Sequence, residues 1–116
     1  KFKACDNQYH LFDMVNISTD IYVELKSRGN TLNKYKTSIM GTNKIRKSKI
    51  YYKNKIDSYY MFKFLGCDDI YFIKYDPVLF DTFKEQHITR YDRGITKLHT
   101  HIPVKLLQKL TENSLN

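Results

Sequence analysis

The 116-residue sequence has only two cysteines and no long apolar run. Two cysteines, Cys5 and Cys67, are too few for the disulfide framework of a small secreted domain, and we interpret them as free buried thiols. No run approaches the roughly 18 apolar residues that a membrane-spanning helix needs. The N-terminus lacks an initiator Met and an apolar signal core, so Lys1 is interpreted as a processed or truncated start. We therefore expect an intracellular protein, cytoplasmic or nuclear.

Acidic residues are absent from residues 29–56, which hold eight lysines and arginines in a chain of net charge +8. Such a block favours a polyanionic partner such as nucleic acid. The alternative is a solvated lysine-rich surface produced by the codon bias of an AT-rich genome. The residues predicted to contact nucleic acid are Arg28, Lys34, Lys36, Lys44, Arg46 and Lys47, with Arg90 and Arg93 in a polar loop at residues 90–95.

Hydrophobic residues make up 41% of the chain, which indicates one globular domain over residues 1–116. Alternating patterns predict strands at residues 10–15, 21–28 and 100–102, and a hairpin of strands 58–65 and 70–75. Helices are predicted at residues 43–55, with Thr42 as N-cap, and at residues 104–110 after Pro103. Residues 31–40 are ambiguous and interpreted as a loop against substrate, and residues 78–89 fit a helix or a strand. This order predicts an α/β fold with a mixed central sheet flanked by helices.

The most informative stretch is the strand at residues 21–28. Ile21, Val23 and Leu25 share one apolar face, which we expect to pack on a helix or a second layer. The other face presents Tyr22, Glu24, Lys26 and Arg28. Asp13 lies in the preceding predicted strand, and a turn-rich segment at residues 16–20 joins the two strands. The sequence therefore predicts that Asp13 and Glu24 come together.

The pattern of Asp13, ten intervening residues and then Glu24-Leu25-Lys26 resembles the PD-(D/E)XK nuclease superfamily. The sequence of residues 23–28, 35–37 and 41–44 is similar to sequences of small nuclease-like proteins of large DNA viruses and phages. Phe12 stands where the family pattern has Pro. The resemblance implies a restriction-endonuclease-like fold, whose first helix precedes its first strand and is expected to be missing here.

The resemblance also implies an activity, which is metal-dependent endonucleolytic hydrolysis of DNA phosphodiester bonds. Its implied catalytic residues are Asp13, Glu24 and Lys26, and its implied ligands for Mg²⁺ (or Mn²⁺) are Asp13, Glu24 and the Leu25 carbonyl. Carboxylate oxygens are the hard ligands that Mg²⁺ prefers. The expected partner is duplex or branched DNA, with a possible homodimer and no membrane, inside a virus-infected host cell or in a virion.

Two other interpretations remain open. In the first, the chain is a DNA-binding or virion structural protein with a nuclease-like fold and no activity, and Glu24 and Lys26 form a surface ion pair that contributes little energy. In the second, the chain is a basic RNA-binding module that stacks bases on its tyrosine-rich strands. Metal-dependent activity would distinguish an enzyme from the first alternative. A preference for single-stranded RNA over duplex DNA would identify the second.

Overall fold

A computed structural model of the chain describes the backbone of residues 2–4, 13–16 and 21–111, and the side chains of residues 21–111. Cys5, the start of the predicted strand at residues 10–15 and most of the predicted turn at residues 16–20 lie outside this part. The described residues form a mixed α/β fold with two sheets and few helices. None of these helices combines the length and apolar character needed to cross a bilayer.

The larger sheet contains six strands. They are β1 (Phe2–Ala4), β2 (Asp13–Asn16), β3 (Ile21–Ser27), β5 (Asp57–Lys63), β6 (Ile70–Lys74) and β9 (Gln108–Lys109); the intervening β4 (Thr37–Gly41), β7 (Glu85–Arg90) and β8 (Ile95–Pro103) belong to the smaller sheet. Their order across the sheet is β1-β2-β3-β5-β6-β9. Strands β3 and β5 pair in parallel, and the other neighbours are antiparallel. The sheet is therefore mixed, as predicted, and β3 lies in its interior.

The smaller sheet is antiparallel and holds β4 (Thr37–Gly41), β7 (Glu85–Arg90) and β8 (Ile95–Pro103) in the order β4-β8-β7. It was only partly predicted. The segment at residues 31–40 contains β4 after a turn, and residues 78–89 contain both a short helix, α2 (Pro77–Phe80), and β7. The predicted polar loop at residues 90–95 is the β7–β8 turn, where Gly94 has φ +60°.

The main helix, α1 (Thr42–Lys53), crosses from β4 to β5 and confirms the helix predicted at residues 43–55. The prediction of Thr42 as its N-cap is wrong. Gly41 occupies the N-cap position, and Thr42 is the first helical residue. The buried Thr42 hydroxyl instead hydrogen-bonds the Thr100 hydroxyl at 2.9 Å. Pairing of β4 with β8 brings those two residues together and removes the side chain from a capping role.

The C-terminus of α1 ends in a Schellman motif. The Ile56 amide donates to the Tyr51 carbonyl at 2.9 Å, and the Lys55 amide donates to the Tyr52 carbonyl at 3.1 Å. Lys55 has φ 62°, the left-handed conformation that this position requires and that usually selects glycine. The helix therefore ends two residues before the predicted position, and a non-glycine residue occupies the left-handed position that follows it.

The two faces of the larger sheet carry separate cores. Tyr60 and Phe62 of β5 are fully buried on the face toward the smaller sheet, α1 and α2. Ile21 and Val23 lie on the opposite face, where the described residues around them belong to β5, β6 and the C-terminal segment. The expectation that a helix or a second layer covers the Ile21 face is therefore not met in the described part of the chain, because α1 and the smaller sheet lie on the Glu24 face.

The hairpin of β5 and β6 confirms the prediction for residues 58–75, with Gly66 in its turn at φ +73°. The helix predicted at residues 104–110 is wrong. Only Val104–Leu106 forms one 3₁₀ turn, and Gln108–Lys109 then pairs with β6 as strand β9. The open edge of β6 offers backbone hydrogen bonds to residues 108–110, which outweigh the weak helical preference of so short a run.

Candidate active site and nucleic-acid contacts

Glu24 lies at the centre of the larger sheet and is 0% exposed. Its strand β3 has β2 on one side and β5 on the other, and α1 covers the face on which Glu24 lies. A carboxylate with this degree of burial is costly unless charges or hydrogen bonds compensate it. Glu24 is thus neither a surface carboxylate nor half of an exposed ion pair.

Three side chains compensate the Glu24 carboxylate. The Tyr22 hydroxyl donates a short hydrogen bond to Oε2. The ammonium nitrogens of Lys26 and Lys44 lie 3.3 and 3.4 Å from Oε1. Neither lysine meets hydrogen-bond geometry, so Oε1 is buried without a hydrogen-bond donor among the described residues. The carboxylate is neutralised by charge while one of its oxygens keeps an unused lone pair.

Lys44 reaches Glu24 because α1 is fixed to β5. The Tyr60 hydroxyl donates to the Lys44 carbonyl at 3.1 Å and accepts a hydrogen bond from the Ser48 hydroxyl. Burial raises the pKa of Tyr60 well above its usual range, and the negative charge of Glu24 adds to this effect. Tyr60 therefore remains a neutral hydroxyl that ties one turn of α1 to the strand beside Glu24.

Asp13 occupies the register position directly opposite Glu24 in the antiparallel pair of β2 and β3. Residues at such positions share a face of the sheet, with Cα atoms roughly 4.5–5.5 Å apart. The Asp13 side chain lies outside the described part of the structure. The backbone register is the one that a shared site needs, and convergence of the two carboxylates stays a prediction.

The side chains of residues 21–111 alone include no cluster of three or more His, Cys, Asp or Glu residues able to hold a metal ion. A divalent ion at this place would use Asp13, the unused Oε1 of Glu24 and the Leu25 carbonyl that the resemblance implies. The Leu25 side chain packs on the opposite face, beside Ile21 and Val23. Any metal site here therefore depends on Asp13.

Arg28 follows the end of β3 on the same side as Glu24 and Lys26. Its Nε donates to the Ser38 hydroxyl at 3.3 Å, and Nη2 donates to the Ile39 carbonyl. The guanidinium carbon lies 5.6 Å from the centre of the Phe62 ring. Burial lowers the pKa of Arg28, although an arginine stays charged.

The other predicted nucleic-acid contacts fall into three places. Lys34 and Lys36 are exposed in the turn before β4, and Arg46 and Lys47 are exposed on α1. The Lys47 ammonium lies 5.6 Å from the centre of the Tyr22 ring, next to the Glu24 cluster.

Arg90 and Arg93 are at the β7–β8 turn, in the smaller sheet. They lie 3.5 and 3.9 Å from the Asp92 carboxylate, and all three side chains are well exposed. The predicted residues thus lie on separate elements, after β3, before β4, on α1 and at the β7–β8 turn.

Sequence reasoning placed Lys44 among phosphate contacts and did not foresee its pairing with Glu24. It also missed Ser48 and Tyr60 as the anchor of α1. The shared face of Tyr22, Glu24 and Lys26 follows from strand alternation and was foreseen. Lys44 lies twenty residues beyond Glu24, and no local pattern links the two.

No protein-family model, curated protein or solved structure matches the chain. The resemblance to the nuclease superfamily therefore depends on the residues quoted for it.

Proposed function

We propose that the protein is a metal-dependent endonuclease that hydrolyses DNA phosphodiester bonds, on a restriction-endonuclease-like sheet. The observation that carries the proposal is the environment of Glu24. A fully buried carboxylate lies in register with Asp13 and within 3.3 Å of Lys26, on the interior strand of a mixed sheet. This is the set of groups that the resemblance requires for the reaction.

One observation in the structure supports the binding of a divalent cation by these groups: Glu24 Oε1 is buried and accepts no hydrogen bond from the described residues. Mg²⁺ and Mn²⁺ accept carboxylate and carbonyl oxygens, so Asp13, Glu24 and the Leu25 carbonyl would hold the ion. When bound, the ion supplies a more acidic water and offsets negative charge on the phosphate.

The protein's own residues have distinct parts in this mechanism. The Tyr22 hydrogen bond holds the Glu24 carboxylate in one orientation. Lys26 lies on the same face and keeps 34% of its side chain exposed, so its ammonium can meet an attacking water or the charge that develops on the phosphate. Lys44 adds a second positive charge at the same carboxylate.

A plasmid-nicking assay with Mg²⁺ or Mn²⁺ tests the proposal on four proteins. The wild type should nick, and Glu24→Gln should lose both nicking and the metal-induced heat signal in calorimetry. Lys26→Ala should keep metal and DNA binding while its rate falls by about a hundredfold or more, because it lacks a group that stabilises the transition state.

Lys74→Ala is the matched control. Lys74 forms an ion pair of 3.4 Å with Asp57 on the same sheet, but both side chains are well exposed, and their register positions opposite Tyr59 and Ile21 place them on the other face of the sheet from Glu24. Its activity should equal that of the wild type. Equal nicking by all four proteins would indicate a contaminating nuclease, and failure of the wild type to nick or bind metal would overturn the proposal.

A second candidate function is favoured by the two lysines on Glu24. Because they already neutralise the carboxylate, the cluster is stable without a metal and suits a non-catalytic DNA-binding or virion structural protein. That function predicts duplex binding without nicking, unaffected by EDTA. Its affinity should fall with salt, with a slope of about −0.9 per phosphate contact.

A further inference from the structure

The strongest feature that the proposed mechanism does not use is the charge of Arg28. This guanidinium is half-buried, and its hydrogen-bond partners, the Ser38 hydroxyl and the Ile39 carbonyl, are both neutral. No carboxylate among the described residues lies within ion-pair distance of Arg28. A cation partly withdrawn from water without a counter-charge creates a site of positive potential, which an anionic group would stabilise.

Arg28 lines a cavity of about 400 Å³. Asn30, Tyr35, Thr37 and His101 also line it, and none of its lining residues is acidic. A cavity of this size with a guanidinium in its wall can hold a phosphate group together with part of the molecule that carries it.

His101 adds no charge to this cavity. Its Nε2 pairs with the Gln86 side-chain oxygen at 2.9 Å, which assigns the proton to Nε2, and Nδ1 then accepts from the Thr37 hydroxyl at 2.8 Å. Burial lowers the pKa of His101, and the neighbouring Lys84 and His99 lower it further. The imidazole is therefore neutral at pH 7, and Arg28 is the anion-binding group of the cavity.

A larger groove of about 970 Å³ adjoins this cavity, with Tyr35 and Thr37 in the walls of both. The groove is lined by Lys34, Lys36 and Lys105 and contains no acidic residue. Tyr35 is 55% exposed and lines both spaces, and the Lys34 ammonium lies 5.5 Å from the centre of its ring. Together, the two spaces combine cations with an exposed aromatic ring.

That combination matches the chemistry of an unpaired nucleotide chain. Phosphates meet the arginine and lysines, and a base whose face is free can stack on the tyrosine. In a duplex the base faces are covered by their neighbours, so the aromatic ring would contribute nothing. Arg28 is two residues beyond Lys26, about 6.6 Å along an extended strand, so a strand bound here passes next to the Glu24 cluster.

We propose that the Arg28 cavity and the adjoining groove bind single-stranded nucleic acid, with a phosphate on Arg28 and a base stacked on Tyr35. Binding requires no metal and no cleavage, so the inference goes beyond the proposed function. For an active nuclease it would mean that an unpaired strand, such as a flap or a branch, is held beside the cleavage site.

Fluorescence anisotropy in EDTA tests the proposal with a labelled short oligo-deoxythymidine, a ribo-oligonucleotide of the same length, and a duplex. Single strands should bind more tightly than the duplex. Tyr35→Ala should weaken single-strand binding by about tenfold, within the range for loss of one stacked base. Tyr91→Ala is the matched control, because Tyr91 is 91% exposed at the β7–β8 turn, away from both spaces, and should bind like the wild type.

Arg28→Met keeps an apolar stem over Phe62 and removes the charge. It should weaken single-strand binding and reduce the slope of log K against log salt by about 0.7, the value for one phosphate contact on a single strand. If Arg28→Met folds poorly, Lys36→Ala replaces it, because Lys36 is exposed; this variant should reduce the slope of log K against log salt by a similar amount.

Duplex binding as tight as single-strand binding, or no loss with Tyr35→Ala, would overturn the inference. Tighter binding of one sugar type would show whether DNA or RNA is the preferred strand, and either result supports the groove. The result of these binding measurements is independent of the result of the nicking assay, because they are made without metal.

Discussion

The pairing of Lys44 with Glu24 makes a quantitative prediction. At a separation of 3.4 Å, two unit charges attract by about 5 kcal/mol at an effective dielectric constant near 20, and by about 1 kcal/mol in water. Glu24 is fully buried, whereas Lys44 keeps 26% of its side chain exposed and loses rotamer freedom in the pair. We therefore expect a net coupling of about 2 kcal/mol, between the values for exposed and fully buried pairs.

A double-mutant cycle measures this coupling. Lys44→Met should lower the free energy of unfolding by about 2 kcal/mol, which corresponds to roughly 8 °C in Tm for a chain of this length. In a Glu24→Gln background the same substitution should have little effect, because the charge that Lys44 pairs with is gone. Urea unfolding of the four proteins, at low and high salt, gives the interaction energy and its screening.

Lys49→Met is the matched control, since Lys49 is exposed on the same helix and has no ion pair among the described contacts. It should change stability by less than about 0.5 kcal/mol in either background. An equal loss from Lys44→Met in both backgrounds would refute the reasoning. The lysine would then act through packing of its stem, and the charge cluster around Glu24 would not stabilise the fold.

Three further predictions concern other parts of the fold. Lys55→Gly should raise the free energy of unfolding by up to about 1 kcal/mol in chemical denaturation, because it relieves the left-handed conformation at the end of α1. Ser58→Ala should be neutral or stabilising in thermal melts, since its buried hydroxyl has no hydrogen-bond partner among the described residues, whereas Ser48→Ala should cost about 1 kcal/mol by removing the donor to Tyr60. Burial lowers the pKa of His101 below 6.5, so the folded state binds its proton less readily than the unfolded chain. The contribution of His101 to the free energy of unfolding should be fully present above pH 6.5 and should fall as the pH drops below that value. The free energy of unfolding of His101→Gln should depend less on pH across this range.

Elements fixed by local alternation were predicted well. The strand from Ile21 alternates along its length, and the hairpin strands β5 and β6 are dense in aromatic and β-branched residues with glycine in the turn between them; both elements formed within two residues of the predicted bounds. The end of α1 was predicted to within two residues, although the sequence at Lys55 offers no glycine. In these segments, local preference and tertiary packing favour the same structure.

The failures share a physical cause, which is pairing with distant strands. Residues 104–110 have apolar side chains at helical spacing, yet the Leu110 amide donates to the Ile70 carbonyl at 2.7 Å, and the segment joins the edge of β6. Strand β4 was missed because its partner, β8, is some sixty residues further along the chain. A sequence read in short windows contains no information about which edge will accept a segment.

The candidate site shows the same division between local and distant information. Strand alternation alone places Glu24 and Lys26 on one face, and the register of β2 adds Asp13 to the opposite position. The electrostatic character of the site, however, depends on α1, because Lys44 converts an intrastrand pair into a buried cluster of one carboxylate and two ammonium groups. Without Asp13 this cluster carries a net charge of plus one, which attracts phosphate and repels a divalent cation. A carboxylate at Asp13 would bring it to neutrality, so Asp13→Asn should weaken metal binding more than DNA binding, and that difference separates a nuclease site from a structural charge cluster.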